Sequence, residues 1–321
     1  MKREHQVTGH IAAIITCLIW GTTFVSTKVL LQDFGPVDLL FSRFLLGYFT
    51  LWLMRLKKLR TEKGQEIIFV GAGLCGVCLY YLFENIALTY TQASNVSVIV
   101  STAPLFVTIM AHFFLKEEKL QKYFFFGFVC AIAGIILLSF GGGENVSINL
   151  IGDLLCVAGS FVWGAYSILI KKISGFGYNV IQTTRRAFFY GLMFMIPILI
   201  GSGAKFHSSA YTKPLNLANL LYLGIGACAV CFVTWNYAVK MLGAIKTSAY
   251  IYAIPVITIV VSVIILHEKV TPFMLGGTAL TVLGLVISEK NNNDFTSSLA
   301  NANISRNWCR LDMVHFLRQS L

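Results

Sequence analysis

Charge is what this sequence is short of. Only 12% of its 321 residues are Asp, Glu, Lys or Arg, and 56% are hydrophobic, whereas a soluble domain carries roughly 25% charged residues. Residues 9–27 contain no Asp, Glu, Lys or Arg at all, and about 20 mostly apolar residues suffice to cross about 30 Å of hydrocarbon. With a mean hydropathy of +0.73, a water-soluble core is excluded, and the chain reads as an integral membrane protein whose first partner is the lipid bilayer. "MKREH" has the charge of a secretory leader, but the apolar stretch behind it is long and runs on toward a second span. The first helix is therefore expected to be retained.

Other absences narrow the function. The six His stand at 5, 10, 112, 207, 267 and 315, mostly near span ends, and no cluster of His or carboxylate falls inside a span, which speaks against a membrane-embedded enzyme. No G-x-x-x-x-G-K-[ST] sequence is present, so ATP is not expected to drive the protein directly. Cys75-Gly-Val-Cys78 and Cys228-Ala-Val-Cys231 have the spacing of zinc thiolates. Each pair, however, lies in what reads as an uninterrupted apolar helix, where Cys is an ordinary buried hydrophobe. No metal and no cofactor are expected, and all eight cysteines are expected to be reduced thiols.

What is present is a succession of apolar runs. Ten spans are predicted, at 10–31, 37–55, 67–90, 95–115, 122–140, 151–171, 179–200, 217–239, 247–266 and 272–289, from apolar runs between Gly, Pro and charge clusters. The linkers are short, and the tail 291–321, opening "NNNDFTSSLANAN", reads as polar and disordered. The net charge of +11 would suggest nucleic acid in a soluble protein. Here its position matters more. Assigning loops alternately gathers on one side Lys2 and Arg3, the 55–63 cluster, Lys116, Lys119 and Lys122, Lys171 and Lys172, Lys240 and Lys246, and the basic residues of the tail. The other side keeps only Lys205, Lys213 and Lys269. The positive-inside rule then places both termini in the cytoplasm, and no nucleic-acid partner is implied.

The chain also repeats itself. An offset of 143 lays Trp20-Gly21 on Trp163-Gly164, Lys28 on Lys171 and Arg43 on Arg186. An offset of 151 lays Asn85 on Asn236, Ala93 on Ala244, Ser97 on Ser248, Pro104 on Pro255 and Glu117 on Glu268, and an offset of 150 lays Gly127 and Gly134 on Gly277 and Gly284. Five spans per half is an odd number, so the second half enters the membrane from the opposite side. Such inverted repeats place a site near the midplane between the halves and favour alternating access. The expected units are 1–145 and 146–290, followed by the tail.

Ten helices in two inverted fives, Trp-Gly in helices 1 and 6, a Pro within helices 4 and 9, and a Glu just after each of those ("LKEEK", "LHEKV") resemble the drug/metabolite transporter superfamily, specifically its EamA-type carriers. The likeness covers about residues 8–289. It implies an all-α basket around a central substrate cavity, in a bacterial cytoplasmic membrane, exporting small metabolites such as amino acids. A drug exporter, or an exchanger of phosphorylated or nucleotide-linked sugars, is the alternative, because the family fixes the fold better than the substrate.

Candidate site residues follow from polar groups that lipid would not tolerate. Charge at mid-bilayer costs from about 2.5 to over 10 kcal/mol unless paired or wetted, so Glu84 is expected to pair with Lys28 or Arg43. That pair is read as a gate, as part of the ligand site, or as a fixed structural pair. Glu84 is also the carboxylate placed to carry a proton if a gradient drives export. Arg185 and Arg186 are read either as attracting an anionic substrate or as anchoring a helix end. The stripe Ser94, Ser97, Ser101, Pro104 and Thr108 is expected to face protein or water, with Pro104 and Pro255 kinking their helices and freeing carbonyls near Val100 and Ile251. With Trp20, Thr23, Tyr81, Asn85, Trp163, Tyr166, Trp235, Asn236 and Tyr250, these residues make the expected cavity, suited to an amphipathic metabolite.

Overall fold

The computed structural model describes residues 2–115, 122–140, 149–203 and 208–289, and every regular element in them is helical. Ten long helices follow in order: α1 Lys2–Leu30, α2 Pro36–Met54, α3 Glu66–Tyr90, α4 Ala93–Phe114, α5 Lys122–Phe140, α6 Leu150–Ser174, α7 Val180–Gly201, α8 Pro214–Leu242, α9 Ala244–Ile265 and α10 Pro272–Glu289. Eight of them are long and apolar enough to cross a membrane, and α5 and α10 supply shorter apolar stretches, Phe125–Leu137 and Pro272–Ile287. The predicted spans match these helices, the largest difference being that α1 begins eight residues early. Glu117, Lys116, Lys119, Lys205 and the tail lie outside the described residues.

Local chemistry sets many of the helix starts. Proline opens α2, α8 and α10, where a missing N–H costs nothing. Asn149 and Asn179 cap α6 and α7, their side-chain oxygens accepting from Gly152 N–H at 3.2 Å and from Ile181 N–H at 3.0 Å. The cap of α4 comes from the other half of the chain. Glu268, in the connection between α9 and α10, accepts from the N–H groups of Ala93 at 2.8 Å and Ser94 at 3.2 Å and from the Ser94 hydroxyl at 2.5 Å. A carboxylate there satisfies orphan donors and meets the positive end of the helix dipole. Glu268→Ala is expected to cost about 1–2 kcal/mol, read as a lowered melting temperature of the purified protein; an unchanged midpoint would show that the cap contributes nothing.

The repeated glycines are contact points between the halves. A Cβ on Gly21 of α1 would stand 2.7 Å from Ile257 of α9, and one on Gly164 of α6 would stand 2.9 Å from Phe106 of α4. Phe106 and Ile257 are themselves related by the 151 offset, so both Trp-Gly pairs serve the same packing. Likewise α5 lies on α10 with backbone against backbone: a Cβ on Gly134 would meet Gly277 O at 2.7 Å, and one on Gly284 would meet Gly127 O at 2.7 Å. Small residues permit this approach where lipid offers helices no hydrophobic drive to associate. Gly71, Gly73 and Gly76 also find their neighbours within the chain, at Leu169, at α7 and at Tyr166.

Two features interrupt the regular α-helices, the second beside the prolines expected to kink them. The stretches holding Cys75, Cys78 and Cys228 are π-helical, Gly73–Leu79 in α3 and Tyr222–Val230 in α8, with Cys231 directly after the second. They are not uninterrupted α-helix as predicted, and the 151 offset makes them counterparts. In α4 the runs Ala93–Val100 and Ala103–Phe114 meet at Ser101-Thr102, and in α9 a 3₁₀ turn, Ala249–Ala253, precedes Ile254–Ile265. Pro104 and Pro255 each stand second in the later run, where proline is tolerated and the preceding turn is not.

Between α1 and α2, Asp33 accepts from Lys213 at 2.6 Å and from Asn216 at 2.8 Å, and these partners hold its carboxyl below the usual carboxylate range. A depressed folded value gives stability that is fully present above the ordinary pKa of about 3.9 and is lost as pH falls through the folded one. Asp33→Asn is therefore expected to lower the melting temperature at pH 6 by more than at pH 3. A gap that does not narrow on acidification would rule the contact out as a source of acid sensitivity.

Candidate functional site

Five helices enclose one internal space near the middle of the fold. Trp20, Thr23 and Phe24 come from α1, Tyr80, Tyr81 and Glu84 from α3, Val100 and Ala103 from α4, Trp163 from α6, and Ile251 and Ile254 from α9. Both halves contribute. The free volume is about 20 Å³, room for about one water, so a metabolite enters only as the walls part. The π turn of α3 immediately precedes Tyr80, Tyr81 and Glu84, and such turns recur at functional sites because they re-aim the side chains after them.

Aromatic rings form most of the wall. Trp20 and Trp163 meet edge to face at 5.4 Å, and Tyr80 lies 4.7 Å from Trp163 and 4.8 Å from Tyr81. Trp235 backs them, 5.1 Å from Trp20 and 6.0 Å from Trp163. Trp20 donates its indole N–H to Ala227 O at 3.2 Å, a carbonyl of the π-helical stretch in α8. Glu84 is 3% exposed, and its carboxylate interacts with the Tyr80 hydroxyl and with the charge of Arg43. Glu84 Oε1, Trp163 Nε1 and Trp235 Nε1 are buried with no hydrogen-bond partner among the described residues.

Of the predicted site residues, Trp20, Thr23, Tyr81, Glu84 and Trp163 line this space. Arg43 stands just outside it. Fully buried, it places its guanidinium carbon 4.8 Å from the Tyr81 ring centre and donates weakly to Cys228 Sγ and Thr27 Oγ1, both at 3.4 Å, while Nη2 has no partner among the described residues. It lies near enough to Glu84 for charge interaction, without a direct ion pair among the described residues. Lys28 does not join them: its ammonium donates to the carbonyls of Leu88 and Thr91 at the end of α3. The expected choice between two cations for Glu84 thus resolves toward Arg43, because backbone carbonyls already satisfy Lys28.

Other expectations are placed elsewhere. Ser97 and Ser101 are fully buried and donate to Ser94 O and Val98 O in their own helix, so their hydroxyls are spent on the backbone, and Val100 and Ala103 face the cavity in their stead. Asn85 donates to Pro36 O at 3.0 Å. Asn236 accepts from the Tyr166 hydroxyl at 2.9 Å and donates to Thr184 at 3.0 Å, which joins α6, α7 and α8. The Tyr250 hydroxyl meets His10 Nδ1 at 2.5 Å, at the far end of α1. Arg185 donates to the carbonyls of Arg55 and Lys57, and Arg186 pairs with Glu66 at 2.6 Å. These two arginines join α7 to Arg55 and Lys57 and to the first residue of α3, and neither lines the cavity. Phe24, Ala103 and Ile254 were not anticipated: apolar and within apolar helices, they carry no signal of their own.

Comparison with known proteins agrees with this architecture. Residues 7–140 and 150–289 each match the EamA-like transporter family. An uncharacterized transporter of Archaeoglobus fulgidus is 30% identical over 284 residues, covering 87% of this chain and 96% of that protein. A probable terminal-alkyne amino-acid exporter of Streptantibioticus cattleyicolor is 26% identical over 280 residues, covering 86% and 91%. A solved crystal structure shares the fold with a TM-score of 0.65 at 19% identity, over 88% of this chain and 96% of the other.

Proposed function

The chain belongs to the EamA-like transporter family, and from that premise we propose that it is a secondary transporter exporting small metabolites such as amino acids by alternating access. The observation that carries this reading is the cavity between inverted halves, walled by aromatic rings and holding one buried carboxylate. Rocking one half against the other would expose that space to each side in turn. The basic loops support an orientation with both termini on the cytoplasmic side of a bacterial-type cell membrane. The likeness to an amino-acid exporter supports the substrate class. The lining contains no cation among the described residues, which weighs against phosphorylated sugars, whose recognition calls for Lys or Arg.

Glu84 is the group on which proton coupling would act, being the carboxylate in the cavity lining. The test is uptake and counterflow in proteoliposomes with a panel of amino acids and metabolites, with and without a pH gradient. Saturable counterflow of one or more amino acids is the expected result. Movement of sugar phosphates alone would replace the substrate class, and substrate turnover without translocation would end the transporter reading. Glu84→Gln is expected to abolish any stimulation by the gradient; full stimulation in that variant would remove Glu84 from the coupling.

A further inference from the structure

The two tryptophans of the repeat are not equivalent, and the difference points to a ligand. Trp20 satisfies its indole N–H on Ala227 O. The corresponding partner for Trp163 is Gly76, 151 residues before Ala227, in the matching π-helical stretch. Trp163 Nε1 makes no such bond: it is buried without a partner among the described residues, on a residue 3% exposed that lines the cavity. Glu84 is likewise 3% exposed, lines the same space, and leaves Oε1 without a partner. A buried donor or acceptor left unsatisfied is costly, and native proteins keep few of them. One carboxyl oxygen and one neutral donor therefore await complementary groups in a single cavity.

We infer that Glu84 Oε1 binds a protonated amine and Trp163 Nε1 an acceptor oxygen, so the cavity takes amphipathic ammonium compounds, with apolar α-amino acids the fullest match. This rests on the transporter reading and specifies its substrate. The rings of Tyr80, Tyr81 and Trp163 line the same space as Glu84, and aromatic faces attract ammonium groups. Arg43, behind the Tyr81 ring, keeps a positive charge near Glu84 without occupying the cavity. Val100, Ile251 and Ile254 also line the space and give it apolar surface to receive an aliphatic or aromatic side chain. A molecule whose only charge is negative meets a carboxylate and no cation, and is rejected.

The test measures binding to the full-length protein in detergent by tryptophan fluorescence, with four probes of one shape: phenylalanine, phenylethylamine, phenylpropionate and N-acetylphenylalanine. Phenylalanine and phenylethylamine are expected to bind, with the two probes lacking a free ammonium at least about tenfold weaker, since a charged hydrogen bond is worth that factor or more. Glu84→Gln is expected to weaken both amines by about tenfold or more. Trp163→Phe keeps a ring and loses the N–H, and is expected to weaken phenylalanine severalfold while leaving phenylethylamine unchanged. Should Glu84→Gln fail to fold, the Trp163→Phe split and the probe series still decide. Equal binding of phenylpropionate, or amine affinity unchanged in Glu84→Gln, overturns the inference. Amine-dependent binding with no counterflow in vesicles supports it and overturns the transporter reading. Counterflow of anionic substrates that is indifferent to Glu84→Gln does the reverse.

Discussion

Arg43→Met is expected to lower the stability of the folded protein by about 3–5 kcal/mol, because it strands a buried carboxylate. Arg43 has no solvent exposure, and two weak 3.4 Å contacts and the faces of Tyr81 and Phe44 are what its guanidinium touches. Such a group is costly to bury by itself. Cys228, Tyr81 and the charge of Glu84 together offset the cost, and Glu84 in turn senses the charge of Arg43. Removing one member should therefore hurt more than removing both. The double variant Arg43→Met with Glu84→Gln is expected to regain at least half of the loss, since a buried pair replaced by neutral groups of similar size is often near neutral. Thermal or denaturant unfolding of the four proteins measures the coupling; strictly additive losses would show that the two charges do not sense each other.

The second large effect lies in the contact that seats α3 on α7. A Cβ on Gly73 would stand 2.5 Å from Ala187 O and 2.7 Å from Gly191 N, and one on Gly191 would stand 2.3 Å from Val77 Cγ1. The obstructing atoms at Gly73 include backbone, which cannot rotate aside. Gly73→Val is expected to cost about 1–3 kcal/mol or more from overpacking, seen as a lowered melting temperature and a smaller monodisperse peak in size-exclusion chromatography. Since α3 carries Tyr80, Tyr81 and Glu84, displacing it should also cut transport by more than the loss of folded protein. Normal activity per folded molecule would mean that α3 moves without disturbing the cavity.

Legibility in the sequence followed the strength of each physical signal. Helices of about 20 apolar residues announce themselves by length and composition, and the offsets 143 and 151 exposed the paired halves because Trp, Pro and Glu are rare enough to align. Glu84 was conspicuous for the same reason. The serine stripe of α4 faces protein as expected but does not line the cavity. On an ideal helix Ser94, Ser97 and Ser101 share a face, but Ser and Thr hydroxyls can return to their own backbone, and those of Ser97, Ser101 and Thr102 do, while that of Ser94 goes to Glu268. Moreover the helix breaks at Ser101-Thr102, so periodicity carried across the break assigns the wrong face. The π turns were invisible: "GLCGVCL" is as apolar as any α-helical run, yet one extra residue in a turn rotates everything after it by about 100°. Arg43 and Lys28 looked interchangeable as partners for Glu84 because sequence gives depth along a helix and not the direction in which a side chain leaves it.

The carboxylate that caps α4 comes from the other half of the molecule, and this bears on how the carrier divides its time. Parting α4 from the α9–α10 connection would return two N–H groups and a hydroxyl to water and take Glu268 off the helix. If the bonds together are worth about 1–2 kcal/mol, they favour the joined arrangement by roughly 5- to 30-fold. Glu268 would then act as a setting on the conformational equilibrium, distant from the cavity, and its removal would change the occupancy of each facing state without altering a single ligand contact.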